Sequence, residues 1–449
     1  MLSANLTVSR YNIIGVLFFA FLFSTVSSFA QDNSPYSRYG LGDRAAQENM
    51  VNRAMGGISA GYSHFQSINF INPASFSSIS NTIFDIGGDI TLHTLKSNIS
   101  PDNYTSTNTN ISYLQMGFPI ATTKMKEKNK SLGIAFGLRP ITRINYKLEQ
   151  LGRLTGIDSV NTTYGGSGGM SVASAGFGYR VKDFSVGVSL GYAFGNKSTS
   201  TLLSFVNDTV NYFSSERQQN VNFGGLAFSA GMQYKFTMKK KGWLTLGAYA
   251  HVGNKLSATR STEDQTYYSN SFGDMIPIDT VQYVSSSDGK VKVPTTIGFG
   301  FIFTDKDSHW TIGADYEMTN WATYRVFGEK DALQNSYRIK LGAEYFPATK
   351  TTLASHYFSF VKYRGGFYYG TDQIKLDKSR NEYGLTIGVG MPLAGPNRMR
   401  FYELPSFLNA GVEIGAKGNK STGTMREGIV RFNIGVSMNA RWFQKIKYD

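Results

Sequence analysis

From Ala173 to Phe194 the chain alternates with period two. Ala173, Ala175, Phe177, Tyr179 and Val181 interleave with Ser174, Gly176, Gly178 and Arg180; beyond Lys182-Asp183, the residues Phe184, Val186, Val188, Leu190, Tyr192 and Phe194 interleave with Ser185, Gly187, Ser189, Gly191 and Ala193. Side chains two positions apart share one face of a strand. If Lys182-Asp183 forms a two-residue turn, Val181 faces Phe184 and Phe177 faces Val188, so both apolar rows fall on the same side, although the turn lacks the glycine such hairpins favour. The opposite face carries glycine, serine, alanine and one arginine. That suits a hydrated interior better than a second packed sheet, and the pattern favours a membrane barrel with its apolar face toward lipid over a soluble hairpin.

The N-terminus explains how such a chain reaches a membrane. Arg10, the apolar run Ile13 to Phe23 and Ser28-Phe29-Ala30 have the arrangement of a signal peptide over residues 1–30, with cleavage expected after Ala30. Gln31 stands where a lipoprotein would need cysteine, so no lipid anchor is expected. No later apolar run is long enough for a membrane helix. An exported chain with no cysteine forgoes disulfides, and a closed barrel supplies rigidity through continuous strand pairing. The net charge of +14 does not call for nucleic acid, because the lysines cluster at strand ends, in Lys124–Lys130, Lys239–Lys241 and Lys445–Lys447, as solvated turns do.

Residues 31–81 show no alternation and are read as an N-terminal plug; alternation begins near Phe84 and recurs to the end, making 82–449 a transmembrane barrel. The expected fold is all-β: a transmembrane antiparallel β-barrel of about 14 strands with a periplasmic plug or hatch. Short connections at Lys182-Asp183, Met238–Lys241, Asp305–Ser308 and Pro347–Lys350 alternate with long polar ones at 199–219, 259–290 and 368–381, whereas 121–130 and 394–406 depart from the pattern. Short turns belong to the periplasmic side, which places both termini there, in the outer membrane of a Gram-negative bacterium. Trp243, Trp310 and Trp442 at one rim and Trp321 at the other are expected in interfacial girdles.

The most specific motif lies in residues 53–76, where Arg53, Met55-Gly56-Gly57 and Ala60 lead to Asn72-Pro73-Ala74. This stretch, with Tyr363-Arg364-Gly365-Gly366-Phe367-Tyr368-Tyr369 late in the chain, resembles the FadL/TodX family of outer-membrane channels for hydrophobic compounds. The resemblance implies a fourteen-stranded barrel occluded by a hatch, and a kinked third strand that opens a lateral exit. Arg139-Pro140 is the candidate for that exit, with a rim bulge as the plainer reading, since proline removes a ladder donor. Pro73 forces a turn that Asn72 can bond, which makes these residues a connector before it makes them ligand contacts.

Alternation also predicts lumen-facing charges: Asp85, Asp89 and His93, then Asp315 and Glu317, then Arg338, Lys340 and Glu344, and finally Arg364, Glu413 and Lys417. A network tying plug to wall is the first reading and substrate binding the second. The five histidines lack metal-ligand spacing, so no catalytic residue, metal or cofactor is expected and the chain is read as no enzyme. The resemblance implies a passive channel for hydrophobic or amphipathic small molecules, with membrane lipids and a hydrophobic ligand as partners. The alternative is a non-transporting accessory or docking subunit of a larger outer-membrane secretion or assembly complex, the use made of this barrel by PorV-like relatives.

Overall fold

The computed structural model describes residues 34–97, 103–120, 125, 127–153, 159–206, 212–270, 274–348, 356–376, 378–394, 405–419 and 425–440. The expected signal peptide, Trp442 and the Lys445–Lys447 cluster lie outside them.

Ladder hydrogen bonds join the strands into one antiparallel sheet that closes on itself. Two wall strands are each built of two segments, and two further segments are only two residues long, so the wall has fourteen strands. They are β1 (Thr82–Lys96), β2 (Asn103–Pro119), β3 (Lys130–Arg153), β4 (Ser159–Val181), β5 (Phe184–Phe205), β6 (Ser214–Met238), β7 (Gly242–Val252 continued by Lys255–Ser269) and β8 (Met275–Lys292 continued by Thr296–Asp305). The circuit continues with β9 (Trp310–Thr319), β10 (Ser336–Tyr345), β11 (Lys362–Lys375), β12 (Ser379–Pro392), β13 (Phe407–Gly418) and β14 (Arg426–Ala440). β14 pairs with β1 from Arg426↔Lys96 to Ala440↔Thr82, which leaves no free edge at the seam. Among the described residues no helix is long and apolar enough to cross a membrane.

The founding hairpin has the register its alternation required: Val181↔Phe184 and Phe177↔Val188 pair, Phe177, Phe184, Leu190 and Tyr192 are exposed, and Ser185 and Ser189 are buried. Its turn manages without glycine because Lys182 adopts φ 55°.

Strand lengths differ from expectation. The supposed loops at 199–219 and 259–290 are largely strand, since β5 runs to Phe205, β6 starts at Ser214, and 255–269 pairs with 275–292 in a projecting hairpin. β11 begins at Lys362 rather than near 351, so 368–381 is mostly ladder, while the expected turn at Pro347–Lys350 lies partly outside the described residues. The apolar period vanishes wherever both faces of a strand meet water, yet the ladder continues there. Trp321 is buried in a cluster with Leu41, Met170, Val172 and Leu256, not at a lipid interface, whereas Trp243 and Trp310 do begin β7 and β9.

Residues 34–81 are largely buried and pack against the wall strands. A helical turn, Met50–Arg53, and a 3-10 turn, Pro73–Ser78, carry buried side chains throughout the first and nearly throughout the second. Their backbone rests directly on the wall, where glycines leave room: a Cβ at Gly133 would strike the backbone of Phe76, at Gly187 that of Pro73, at Gly247 that of Ala60 and at Gly342 that of Met55.

Candidate functional site

The charges predicted for the lumen are all buried or nearly so, and they pair chiefly with the N-terminal segment and with one another. Arg53 reaches Asp89 at 3.5 Å and Asn433 at 3.2 Å. Lys340 Nζ lies 2.9 Å from both Glu48 and Glu317, and Arg44 donates to Glu317 at 2.7 Å. Asp315 accepts the backbone N–H groups of Ser59 and Ala60 at 2.5 and 2.8 Å. Asp85 accepts from Tyr113 and Ser437, Arg338 pairs with Glu382, Arg364 with Glu344, and Glu413 with Arg431. Burial alone would raise the Glu48 carboxyl, but the Lys340 ammonium beside it holds it down at about 2. Buried pairs of this kind are costly to break, because the surviving charge is left unpaired.

The motif residues are placed by the same segment. Gly56 and Gly57 take φ 66° and 85°, the left-handed region that lets the chain reverse after Arg53, and Gly56 N–H donates to Thr386 Oγ1. Met55 is fully buried. Asn72 caps the 3-10 turn by accepting from Ala74 N–H at 3.1 Å and donates to the Ala60 carbonyl at 2.6 Å, while Pro73 starts that turn.

At Arg139-Pro140 the wall divides. β2 and β3 pair only from Leu114↔Leu138 to Pro119↔Gly133; beyond that, the edge of β3 pairs with the segment Asp43–Arg44 through Asp43↔Arg143 and Arg44↔Thr142. A register shift between Pro140 and Thr142 leaves Ile141 bulged, and Gln47 Nε2 donates to the Pro140 carbonyl at 2.9 Å. Arg143 bridges the division by donating to the Ile111 carbonyl at 3.0 Å. Bulge and division therefore coincide, and the cavity inside the division, of ≈ 90 Å³, is polar, with Asp89, Asn108, Asn110, Arg143 and Arg431 in its lining.

A second cavity, of ≈ 180 Å³, has a different character. Met170, Val172, Ala193, Leu256 and Val293 form one part of its wall, Arg44, Glu48, Glu317 and Arg338 another, and Arg139 enters it. Arg139 is 7% exposed, stands over the Phe70 ring at 5.6 Å, and its Nε and Nη1 have no hydrogen-bond partner. An apolar cavity of about 150 Å³ holds a benzene molecule, so this one accommodates a ring or part of an alkyl chain beside an unpaired guanidinium.

A model of the BamG family matches residues 12–449. The chain belongs to that family. Among solved structures, the CymD monoaromatic hydrocarbon channel is similar at TM-score 0.54 and 14% identity, over 90% of this chain and 100% of that one. The Ralstonia pickettii toluene transporter TbuX is similar at 0.53 and 14%, over 87% and 98%, and a Pseudomonas aeruginosa FadL homologue at 0.53 and 12%, over 89% and 99%. The fold of this BamG-family chain is thus that of FadL-type outer-membrane channels. No curated protein matches it.

Sequence reasoning missed the partners that the N-terminal segment contributes, Arg44, Glu48 and Arg53, which sit in a stretch without periodicity. Glu382 and Arg431 were legible by the same alternation that found Glu413. The apolar lining of the outer lumen was hidden, because Met170 and Val172 stand in rows otherwise filled by serine and glycine.

Proposed function

We propose that this BamG-family barrel is a passive channel for hydrophobic or amphipathic small molecules, with residues 31–81 as its plug and both termini in the periplasm. The observation that carries the reading is the apolar cavity with the unpaired Arg139 guanidinium at its inner end. A buried cation without an acceptor is costly unless a ligand supplies one, so a molecule with an apolar body and an acceptor head, such as a carboxylate, fits both features. Entry is from the rim opposite the Lys182-Asp183 turn. Lateral release at Arg139-Pro140 requires the strand Asp43–Arg44 and Gln47 to leave the β3 edge and Arg44 to leave Glu317, while the pairs Arg53–Asp89 and Glu48–Lys340 hold the rest of the plug to the wall. Gentle extraction from native membranes followed by mass spectrometry tests the reading: a stoichiometric small molecule that is lost in Arg139→Met supports it, and a stoichiometric protein partner with an empty cavity overturns it.

The second reading, an accessory or docking subunit of a larger outer-membrane complex, is favoured by the projecting hairpin of β7 and β8. Ile276, Ile278, Val281 and Tyr283 are exposed there, beyond the rows that would meet lipid.

A further inference from the structure

The wall is interrupted at a second place. β6 pairs with the first part of β7 as far as Phe228↔Val252 and with its second part from Gly224↔Ser257, so Gly225, Leu226 and Ala227 keep their partners on β5 but have none on β7. The cause lies one strand further on. Pro294 has no N–H to give a ladder, and a Cβ on Gly253 would strike the backbone of Val293, Pro294 and Thr295, so β7 leans toward β8 and away from β6. Asn254 spans what is left, donating from Nδ2 to the Leu226 carbonyl at 3.1 Å.

The apolar cavity runs to this gap. Ala227, Ser229 and His251 face inward, whereas Leu226, Phe228 and Val252 belong to the opposite, exposed row at 59%, 45% and 47% exposure. Both rows border the same cavity. Side chains from the two faces of a strand meet one space only where that space passes between strands. Leu226 is also the last apolar residue of the outward row Phe236, Tyr234, Met232 and Phe228, with Asn222 and Gln218 beyond it, so the gap opens at the edge of the apolar band away from the Met238–Lys241 turn.

We infer that the break between β6 and β7 is a lateral portal through which an amphipathic ligand passes between the Arg139 cavity and the adjoining leaflet without any movement of the plug. The inference rests on the channel reading above. Among the described residues, the N-terminal segment reaches the edges of the gap through a bond between the His251 side chain and the Ile71 backbone, and it adds no ladder pair there, unlike at the β2/β3 division. Asn254 is its latch, because the Leu226 carbonyl is released by one side-chain rotation.

The chain has no cysteine, which makes a reversible lock available. The full chain in phosphatidylcholine liposomes is loaded with dansylated dodecanoic acid, and release is followed after excess unlabelled dodecanoic acid is added. Ala227→Cys with Asn254→Cys, oxidised, is expected to slow release severalfold and reductant to restore it, and Ala227→Trp, which fills the mouth without oxidation, to slow it likewise. Ile111→Cys with Arg143→Cys, oxidised across the other division, is expected to release at the wild-type rate. Wild-type release from both β6/β7 variants overturns the portal and leaves the channel standing, whereas a wild-type chain that retains no probe overturns both.

Discussion

The two interruptions of the wall, between β2 and β3 and between β6 and β7, are built alike and finished differently. Each begins where a proline stands in or beside a strand, Pro140 in one and Pro294 in the other, and each is spanned by one side chain donating to an orphaned carbonyl, Arg143 to Ile111 and Asn254 to Leu226. Behind the first, the N-terminal segment adds ladder pairs and a charged, polar cavity; behind the second lies the larger, more apolar cavity, where that segment adds no ladder pair and bonds His251 through the Ile71 backbone. A hole in a barrel is therefore defined by what backs it. The first is closed by ladder pairs and the Arg44–Glu317 ion pair, and the second is crossed by a neutral amide.

The strongest way to break this contrast is Lys340→Met. It leaves Glu48 and Glu317 buried with one cation fewer, at a cost of about 3–5 kcal/mol, and loosens the segment that seals β3. Thiol labelling of Ile141→Cys in that background is expected to rise sharply while labelling of Ala227→Cys stays unchanged; equal increases at both sites would show that the two breaks share one seal. Next in size is Arg139→Met, expected to weaken binding of dodecanoate by roughly 10- to 100-fold, the equivalent of about 1.5–3 kcal/mol for a hydrogen bond to a charged group. Calorimetry with the methyl ester as control checks it, since the uncharged ester should bind both proteins nearly alike. Asn254→Ala removes one neutral hydrogen bond, worth about 1 kcal/mol, and should speed probe release through β6/β7 a few fold in the dansyl assay. The smallest effect is one of acid. A carboxyl held low in the folded chain contributes stability above its unfolded range and loses it only as pH falls through the folded value, here about 2 for Glu48. Limited proteolysis of the N-terminal segment should accordingly be flat from neutral pH down into the carboxylate range, and early release there would place the anchoring elsewhere than in Glu48–Lys340.

Much of this architecture was legible in residue order, and particular residues show where legibility stopped. The hairpin around Lys182 declared its register because only one pairing puts Phe177, Val188 and Leu190 on a common face. Asp85, Asp89, Asp315, Glu317, Arg338, Arg364 and Glu413 declared themselves inward for the same reason, yet the partners from the N-terminal segment did not, since Arg53 and Glu48 belong to a stretch with no period to read. The polar hairpin 255–292 looked like a loop because its ladder carries no apolar row for most of its length. Trp321 looked interfacial and is buried, because position along a strand says nothing of which side of the wall a residue leaving that strand will take.

By itself, the order of residues determined that this chain would form strands with one face for lipid and one for charge and glycine, since period two is a local property and its consequence for each side chain is fixed by the pleat. Where the wall is whole and where it parts was decided only by tertiary structure. A ladder bond needs two strands in register, and whether Leu226 or Ile111 finds its partner depends on how a neighbouring strand bends around a proline and on what the N-terminal segment lays against the edge that remains.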